Sequence, residues 1–263
     1  MVKAYYGACT FEIWQFFYDS RDNFVGRQLA DTGAYNESEL ALYSQFITPS
    51  SRVLWLGAHI DALLVPVSKK VKEVIAYEAN PETFKLLVKN LEANNCHNVT
   101  AHNIAANDQS SELKFICNVN NSGGSKRFPK KMETFYWDNE SSVVTIKAMP
   151  VDEHLNDSEF NFVFMDIEGS ETFAMRGMPK VIAQCDVLVA EFIPHHLVSV
   201  GDVTLSDFLK PLADFKTMIV PSQKLVVHND EIETLLFSMM SQGASDAGLI
   251  FCKKRIEVSW TTA

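Results

Sequence analysis

From about residue 52 onward, the chain alternates short, continuous apolar runs with segments of helical periodicity. The apolar runs cover residues 53–56, 74–77, 99–104, 160–165 and 187–192. Continuous apolarity is typical of strands that are buried on both faces, as they are in parallel sheets. Strand–helix–strand units of this length connect parallel strands by right-handed crossovers. The alternation therefore predicts an α/β fold with helices on both faces of a parallel sheet.

The helix after the second apolar run has the clearest pattern. Asn80 is suited to the N-cap and Pro81 to the first helical position. Apolar side chains then recur at the spacing of one buried helical face, at Phe84, Leu87, Val88 and Leu91. Helical patterns also cover residues 171–183, 204–214 and 231–242, and further strands are predicted at 112–117, 143–148 and 249–252.

Two segments differ in character from the rest of the chain. Residues 1–50 are rich in aromatic side chains and end in a helical pattern over 37–47, which predicts an N-terminal helical extension packed on the domain formed by residues 51–263. Residues 118–139 contain paired glycines and a basic cluster that runs from Lys126 to Lys131. This composition indicates a mobile surface loop, which is either a lid over a substrate or an ordinary solvated connection.

Charge and composition narrow the class of partner. The chain has 33 acidic and 23 basic side chains and a net charge of −10, which disfavours nucleic acid and leaves small molecules and neutral glycans. No uninterrupted apolar stretch approaches 18 residues, so no membrane span is predicted. The five cysteines are widely spaced without a Cys-x-x-Cys pair, which predicts reduced thiols and a cytoplasmic location. A homodimer remains open.

Ligands of parallel α/β sheets bind at the carboxyl ends of the strands. The candidate residues are therefore those that follow the predicted strands: Gly57, Glu78, Asn103, Ala105, Asp166, Glu168, Glu191 and His195, with His196 beside the last. Glu78 lies 21 residues after Gly57, a spacing that suits a carboxylate bound to ribose hydroxyls. The turn at 57–61 has one glycine and no Gly-x-Gly-x-x-Gly, which disfavours a dinucleotide and favours a smaller nucleoside.

The strongest chemical signal is a cluster of three acids directly after the run at 160–165. Asp166, Glu168 and Glu171 fall within six residues, and neighbouring carboxylates raise one another's pKa. Such a cluster can orient a cationic ligand, act as a base or hold a metal ion. Capping of the following helix explains Glu171 but accounts less easily for the other two.

These residues resemble a known family. Asp-Ile-Glu-Gly-Ser-Glu at 166–171 is similar to the Asp-Val-Glu-Gly-Ala-Glu motif of the FkbM family of S-adenosylmethionine-dependent methyltransferases. Tyr-Glu-Ala-Asn-Pro at 77–81 and Lys-Asn-Leu at 89–91 resemble further family segments, in the expected order. Similar matches occur at 103–106, 151–152 and 191–192, so that the resemblance covers about residues 33–200.

The resemblance implies a Rossmann-like, seven-stranded class I methyltransferase sheet and transfer of a methyl group to a hydroxyl, often that of a sugar. The cofactor would be S-adenosylmethionine. Gly57 would lie under its methionine moiety, Glu78 would hold the ribose, Asn103 and Ala105 would border the adenine, and Asp166 would lie beside the ammonium group or the acceptor. Ala58, His59 and Ala79 would also bind the cofactor. The base would be Asp166, Glu168 or His195. No metal is expected, although metal-assisted catalysis through Asp166, Glu168 and Glu191 is an alternative.

The first motif departs from the family pattern. Trp55 stands in place of an acid, Asp61 in place of a glycine, and Phe164 where a lysine is more usual. A carboxylate at Asp61 would repel the cofactor's carboxylate unless it pairs with the ammonium group, and Pro66 is expected to kink or shorten the next helix. Two hypotheses follow, an active O-methyltransferase for a small-molecule or glycan acceptor, or an inactive binding or scaffold protein. The basic cluster of residues 126–131 favours an anionic group on the acceptor.

Overall fold

The described part of the computed structural model, residues 6–11, 14–155 and 159–260, is built around one eight-stranded sheet. The remaining residues of the chain, 1–5, 12–13, 156–158 and 261–263, lie outside the described residues. In chain order the strands are β1 (Tyr6–Phe11), β2 (Trp14–Asp19), β3 (Arg52–Leu56), β4 (Glu73–Tyr77), β5 (Val99–His102), β6 (Ala105–Ala106), β7 (Ser111–Cys117), β8 (Lys126–Arg127), β9 (Ser142–Met149), β10 (Phe162–Met165), β11 (Val187–Phe192), β12 (Thr217–Val220), β13 (Leu225–His228) and β14 (Asp246–Cys252).

Short helices connect these strands. They are α1 (Val25–Thr32), α2 (Glu37–Tyr43), α3 (Leu64–Ser68), α4 (Pro81–Ala93), α5 (Val151–His154), α6 (Glu171–Arg176), α7 (Pro179–Gln184), α8 (Leu205–Leu209) and α9 (Asp230–Gln242), and a π-helical turn spans His196–Gly201. Asn80 caps α4 as predicted, because its side chain accepts the N–H of Glu82 at 3.1 Å. Pro66 lies within α3, which is only five residues long, in agreement with the expected shortening.

The main sheet has the strand order β13-β12-β14-β11-β10-β3-β4-β5. The five strands from β11 to β5 are parallel, and this confirms the predicted parallel core. β14 pairs antiparallel with β11, and β12 pairs antiparallel with both β14 and β13. β13 adds an eighth strand to the seven that were expected. β13 was not predicted from the sequence. Its short apolar run folds back on β12 through a tight turn, in which Lys224 has a positive φ of 49°.

A second, four-stranded sheet of order β6-β9-β7-β8 lies between β5 and β10 in the chain. β7 and β9 correspond to the predicted strands at 112–117 and 143–148 and pair antiparallel. The segment predicted to be a surface loop contains β8, and the side chain of Lys126 in it is only 4% exposed. The expectation of a fully solvated basic loop is therefore wrong at Lys126, because this strand turns the side chain into the protein.

The N-terminal extension is helical only in its second half. The aromatic residues before position 20 form the antiparallel hairpin β1–β2, which precedes α1 and α2. The side-chain oxygens of Asn90 and Asn94 on α4 accept the backbone N–H groups of Phe17 and Gln15 at 2.7 and 2.9 Å. Because these bonds satisfy the free edge of β2, a hairpin is stable where a helix was expected.

Apolar side chains pack on both faces of the main sheet. One cluster includes Leu54, Met165 and Leu188, and the other includes Val53, Phe162 and Val189. Successive residues of one strand thus enter opposite layers, which explains why the strands read as continuous apolar runs. In the described part of the chain, every helix is too short or too polar to cross a membrane.

Candidate active site

The carboxyl ends of β3, β4 and β10 surround an open cavity of about 1040 Å³, a volume that includes the solvent at its mouth. The predicted site residues on its wall are Gly57, Ala58, His59, Glu78, Ala79, Ala105, Asp166 and Glu168. Asn103 and His195, which were also predicted, are not on this wall. The eight predicted residues on the wall all follow parallel strands of the main sheet, as expected for an α/β sheet.

Gly57 allows the turn after β3 to approach the turn after β10. Its φ is +84°, and a Cβ atom at this position would lie 1.9 Å from the carbonyl oxygen of Asp166. The N–H groups of Gly57 and Ala58 both donate to the carbonyl of Tyr77, at 2.9 and 3.0 Å. Only glycine fits this position, because its missing side chain leaves room for the Asp166 carbonyl and so brings the two turns together.

Glu78 is buried and accepts two backbone hydrogen bonds. Its Oε2 accepts from the N–H of His59 at 2.8 Å, and its Oε1 accepts from the N–H of Asn80 at 2.7 Å. Burial raises the pKa of Glu78 to about 7, although these hydrogen bonds act in the opposite direction. Each carboxylate oxygen keeps a second lone pair, so the group can still accept hydrogen bonds from a diol.

Asn103 supports the site from behind the cavity wall. Its amide donates to the carbonyl oxygens of Glu78 at 2.8 Å and Ala79 at 3.3 Å. These bonds hold the amide against the adjacent turn, and the contact between Asn103 and the adenine stays a prediction. Ala105 is on the wall, as predicted.

The carboxyl group of Asp166 lines the cavity without a bonding partner among the described residues. Burial, followed by the charges of Glu168 and Glu171, raises its pKa well above the usual range. Glu171 has a different role, because its Oε1 accepts the N–H of Ile167 at 3.0 Å, near the start of α6. An unpartnered carboxyl group in a cavity is suited to a cationic ligand, which would favour its ionised form.

Glu168 belongs to a buried group of charged and polar side chains, here called the Lys126 cluster and composed of Lys126, Glu168, Glu191 and His196. The Nζ of Lys126 lies 2.5 Å from Oε2 of Glu168 and 3.1 Å from Nε2 of His196. The Nδ1 of His196 lies 3.2 Å from Oε2 of Glu191. Burial and the charge of Lys126 lower the pKa of His196 to about 2, so this imidazole is neutral. Neither Lys126 nor His196 was predicted as a catalytic residue, although His196 follows β11 beside His195 and Lys126 belongs to the basic cluster.

His195 lies outside the cavity and is exposed. Its Nδ1 is 2.7 Å from the hydroxyl of Tyr136, and its ring meets the ring of Phe135 edge to face at 5.2 Å. Both aromatic residues belong to the segment between β8 and β9. Of the two histidines after β11, the structure thus brings His196 to Glu168 and turns His195 toward this segment.

Two departures from the family pattern are neighbours in space. Trp55 and Phe164 lie directly opposite each other in the β3–β10 register, and their rings stack with centroids 4.1 Å apart. The ring of Tyr43 meets that of Phe164 edge to face at 5.7 Å. Where the resemblance implies an acid and a lysine, this chain therefore has one coupled aromatic pair. The pair forms part of the cavity wall and leaves the cavity open.

Asp61 is completely buried and unpaired. Its exposure is 0%, neither carboxyl oxygen has a hydrogen-bond partner, and its φ is +84°. Burial raises its pKa well above the usual range, so the carboxyl is protonated, and it does not lie on the cavity wall. The expected repulsion between Asp61 and the cofactor's carboxylate does not arise from this geometry.

Replacing Asp61 by glycine is expected to raise the free energy of unfolding by about 2 kcal/mol, because it relieves backbone strain and removes a buried polar group without a partner. The gain should grow between pH 5 and pH 8. Asp61 is already ionised in the unfolded chain above about pH 4, while its raised pKa favours the protonated form in the folded chain, so the stability of the unmodified protein falls as pH rises over this range. Urea unfolding of the variant and the unmodified protein measures the difference.

Asp202→Gly is the matched control for this substitution. Asp202 also has a positive φ, of 52°, but its side chain is exposed. Its replacement should change stability by less than about 1 kcal/mol, without the same pH dependence. An equal gain from both substitutions would show that backbone strain alone, and not the buried carboxyl, sets the effect.

Comparison with known proteins identifies the family of this domain. The family model described as "Methyltransferase FkbM domain" matches residues 56–219. No curated protein sequence matches the chain.

Several solved structures are similar in fold. The FkbM methyltransferase of Methylobacillus flagellatus is 20% identical, with 83% of this chain and 48% of that chain covered and a TM-score of 0.47. An rRNA methylase of Streptococcus thermophilus is 7% identical, with 82% and 95% covered and a TM-score of 0.46. TYW2 of M. jannaschii, solved in complex with AdoMet, is 12% identical, with 96% and 87% covered and a TM-score of 0.44. The chain thus spans about half the length of the Methylobacillus protein.

Proposed function

Because the chain belongs to the FkbM methyltransferase family, we propose that it is an S-adenosylmethionine-dependent methyltransferase that acts on a hydroxyl of a sugar, a glycan or a glycosylated metabolite. The observation that carries the proposal is the cavity at the ends of β3, β4 and β10. There Glu78, which is buried, and Asp166, which is half-buried, present carboxyl groups on the two sides of the Gly57 turn. A concave site with an apolar lining and a few polar groups at the carboxyl ends of parallel strands is typical of small-molecule sites.

The residues on the wall fit this cofactor. Gly57 permits close approach to the backbone, and Glu78 has lone pairs for the two ribose hydroxyls. Asp166 is the unpartnered acid that would hold the methionine ammonium group. Ala79 and Ala105 leave apolar surface for the adenine. The cavity therefore contains carboxyl groups although position 55 carries Trp55 in place of the family's acid.

S-adenosylmethionine supplies a reactive sulfonium methyl group, so the chain has to align the acceptor and remove one proton. We propose that Glu168 removes this proton. Glu168 lies on the cavity wall, and the ammonium of Lys126 holds its carboxylate. Asp166 would be occupied by the cofactor's positive charge. His195 is outside the cavity and bonded to Tyr136, which leaves Glu168 as the base among the three candidates.

The surface beside the Lys126 cluster supports a sugar acceptor. The ring of Phe135 is 66% exposed and lies next to His195. An aromatic face beside a few polar groups suits a ligand with one apolar face and several hydroxyls. Within the basic cluster, Lys126 is paired with Glu168 and Lys131 lies 3.4 Å from Asp202, so the member placed on the cavity wall to meet an anionic acceptor is Arg127.

The alternative of an inactive scaffold protein depended on Trp55 and Asp61. Trp55 stacks into the wall with Phe164, and Asp61 lies away from it. Neither side chain fills the cavity. The geometry consequently favours a protein that still binds its cofactor.

A binding titration tests the proposal. The unmodified protein should bind S-adenosylmethionine and S-adenosylhomocysteine in calorimetry, and Asp166→Asn should weaken S-adenosylmethionine binding by about 10- to 100-fold, because a hydrogen bond to a charged group is lost. Affinity should rise with pH, since Asp166 must release its proton to pair with the ammonium group and Glu78, with a pKa of about 7, must release its own to bind the hydroxyls. The part of this dependence that Asp166→Asn loses belongs to Asp166. Calorimetry in two buffers of different ionisation enthalpy measures that proton release.

Asp214→Asn, at an exposed position, is the control and should bind like the unmodified protein. Absence of binding by the unmodified protein at millimolar ligand would overturn the proposed function. Unchanged affinity in Asp166→Asn would overturn the role assigned to that residue.

A further inference from the structure

The Lys126 cluster contains the ligand set of a metal site with an ammonium group inside it. Glu168, Glu191 and His196 each offer one ligand atom, and these atoms all lie within 4.8 Å of one another. The Nε2 of His196 and the carboxylate of Glu168 are ligands that divalent metal ions accept, and Glu191 lies at the other nitrogen of the imidazole, at 3.2 Å. Here the Nζ of Lys126 already contacts Oε2 of Glu168 and Nε2 of His196, at 2.5 and 3.1 Å.

The hydrogen bonds define which nitrogen of His196 carries the proton. An ammonium group only donates, so Nε2 must present its lone pair to Lys126. Nδ1 then carries the proton and donates it to Glu191. Metal-binding histidines are oriented in the same way, with one nitrogen on the metal and the other donating to a carboxylate. The Nζ of Lys126 thus occupies the position of the metal ion in a carboxylate–histidine–metal arrangement.

Three separate parts of the chain build this arrangement. Lys126 comes from β8 of the second sheet, Glu168 from the turn after β10, and His196 from the π-helical turn after β11. Glu168 holds a positive φ of 54°, which brings its carboxylate to both Lys126 and the cavity wall. Lys126 is only 4% exposed, so its charge is compensated by these partners and not by water.

We propose that Lys126 is a built-in cation that takes the place of a divalent metal ion and positions Glu168 and His196 at the acceptor side of the site. Its role in catalysis rests on the proposed function. The ammonium group keeps the Oε2 of Glu168 and the Nε2 of His196 directed at one point, as a metal ion would. While Lys126 is present this point is filled, and its removal leaves a ligand set ready for a metal ion.

Titration with Co²⁺ alone tests this proposal. Lys126→Ala should bind one Co²⁺ and develop the visible absorption of a site with nitrogen and oxygen ligands, whereas the unmodified protein should show neither change at the same concentration. Lys126→Ala/His196→Gln should lose the site. Lys126→Ala/Glu191→Gln should bind Co²⁺ about 10- to 100-fold more weakly, because the orienting carboxylate is gone.

Two further variants protect the test against misfolding and against other Co²⁺ sites. Lys126→Ser is a second small replacement, for use if Lys126→Ala does not fold, and should bind Co²⁺ in the same way. Lys126→Gln fills the position with an uncharged side chain and should bind none. The proposal is overturned if the folded small variants take up no Co²⁺, or if the unmodified protein binds Co²⁺ through His196 with Lys126 in place.

This experiment uses neither cofactor nor acceptor. If Co²⁺ binds only after Lys126 is removed while S-adenosylmethionine fails to bind the unmodified protein, the metal-replacing geometry stands and the proposed function falls. The reverse pair of results would leave the methyltransferase function intact and overturn the inference about Lys126.

Discussion

Replacing Trp55 by aspartate is expected to lower the free energy of unfolding by at least about 4 kcal/mol. Removal of a large buried aromatic side chain alone costs about 3–5 kcal/mol, and an unpaired buried carboxyl adds to that cost. Trp55 is 2% exposed and stacks on Phe164, so both effects apply in full. Urea unfolding measures the loss, which is a large fraction of the stability of a typical domain.

A second substitution tests whether the aromatic pair is a coupled replacement. Trp55→Asp/Phe164→Lys places the acid and the lysine implied by the family directly opposite each other in the β3–β10 register. The double variant should be more stable than Trp55→Asp alone, with a coupling energy of about 1–3 kcal/mol. Trp55→Phe keeps an aromatic ring and is the control with the smallest loss. Additive effects of the two charged substitutions would show that the positions vary independently.

Replacing Glu78 by alanine is expected to weaken S-adenosylmethionine binding by about 100-fold or more, since two hydrogen bonds to a charged group would be lost, each worth about 1.5–3 kcal/mol. The substitution also frees the N–H groups of His59 and Asn80, which Glu78 now holds in place. Calorimetry should be performed at pH 8, because the pKa of Glu78 is raised to about 7 by burial and the ionised group binds the hydroxyls.

Two controls distinguish this result from a general loss of structure. Glu78→Gln keeps the size of the side chain and one acceptor oxygen, so its affinity should lie between those of the alanine variant and the unmodified protein. Glu73→Gln alters a carboxylate at the other end of β4, where it pairs with Arg52, and should leave the affinity unchanged. Equal affinities of all variants would place the ribose away from Glu78.

The sequence alone predicted the parallel sheet and eight of the residues on the cavity wall. A strand buried on both faces must be apolar at every position, and the residues that follow such strands meet at one edge. Gly57, Glu78 and Asp166 could therefore be found from their position after a strand. The hairpin β1–β2 could not, because it depends on Asn90 and Asn94 of a helix more than 70 residues further along the chain.

Contacts between distant segments were decided only by the tertiary structure. Lys126 and Glu168 are 42 residues apart, and Trp55 and Phe164 meet only because β3 and β10 are in register. Local periodicity reports which face of its own strand or helix a residue occupies, not which side chain of another segment it meets. The same limit applies to charge, since the burial that keeps Asp61 protonated and makes Lys126 part of the site arises only when the layers pack.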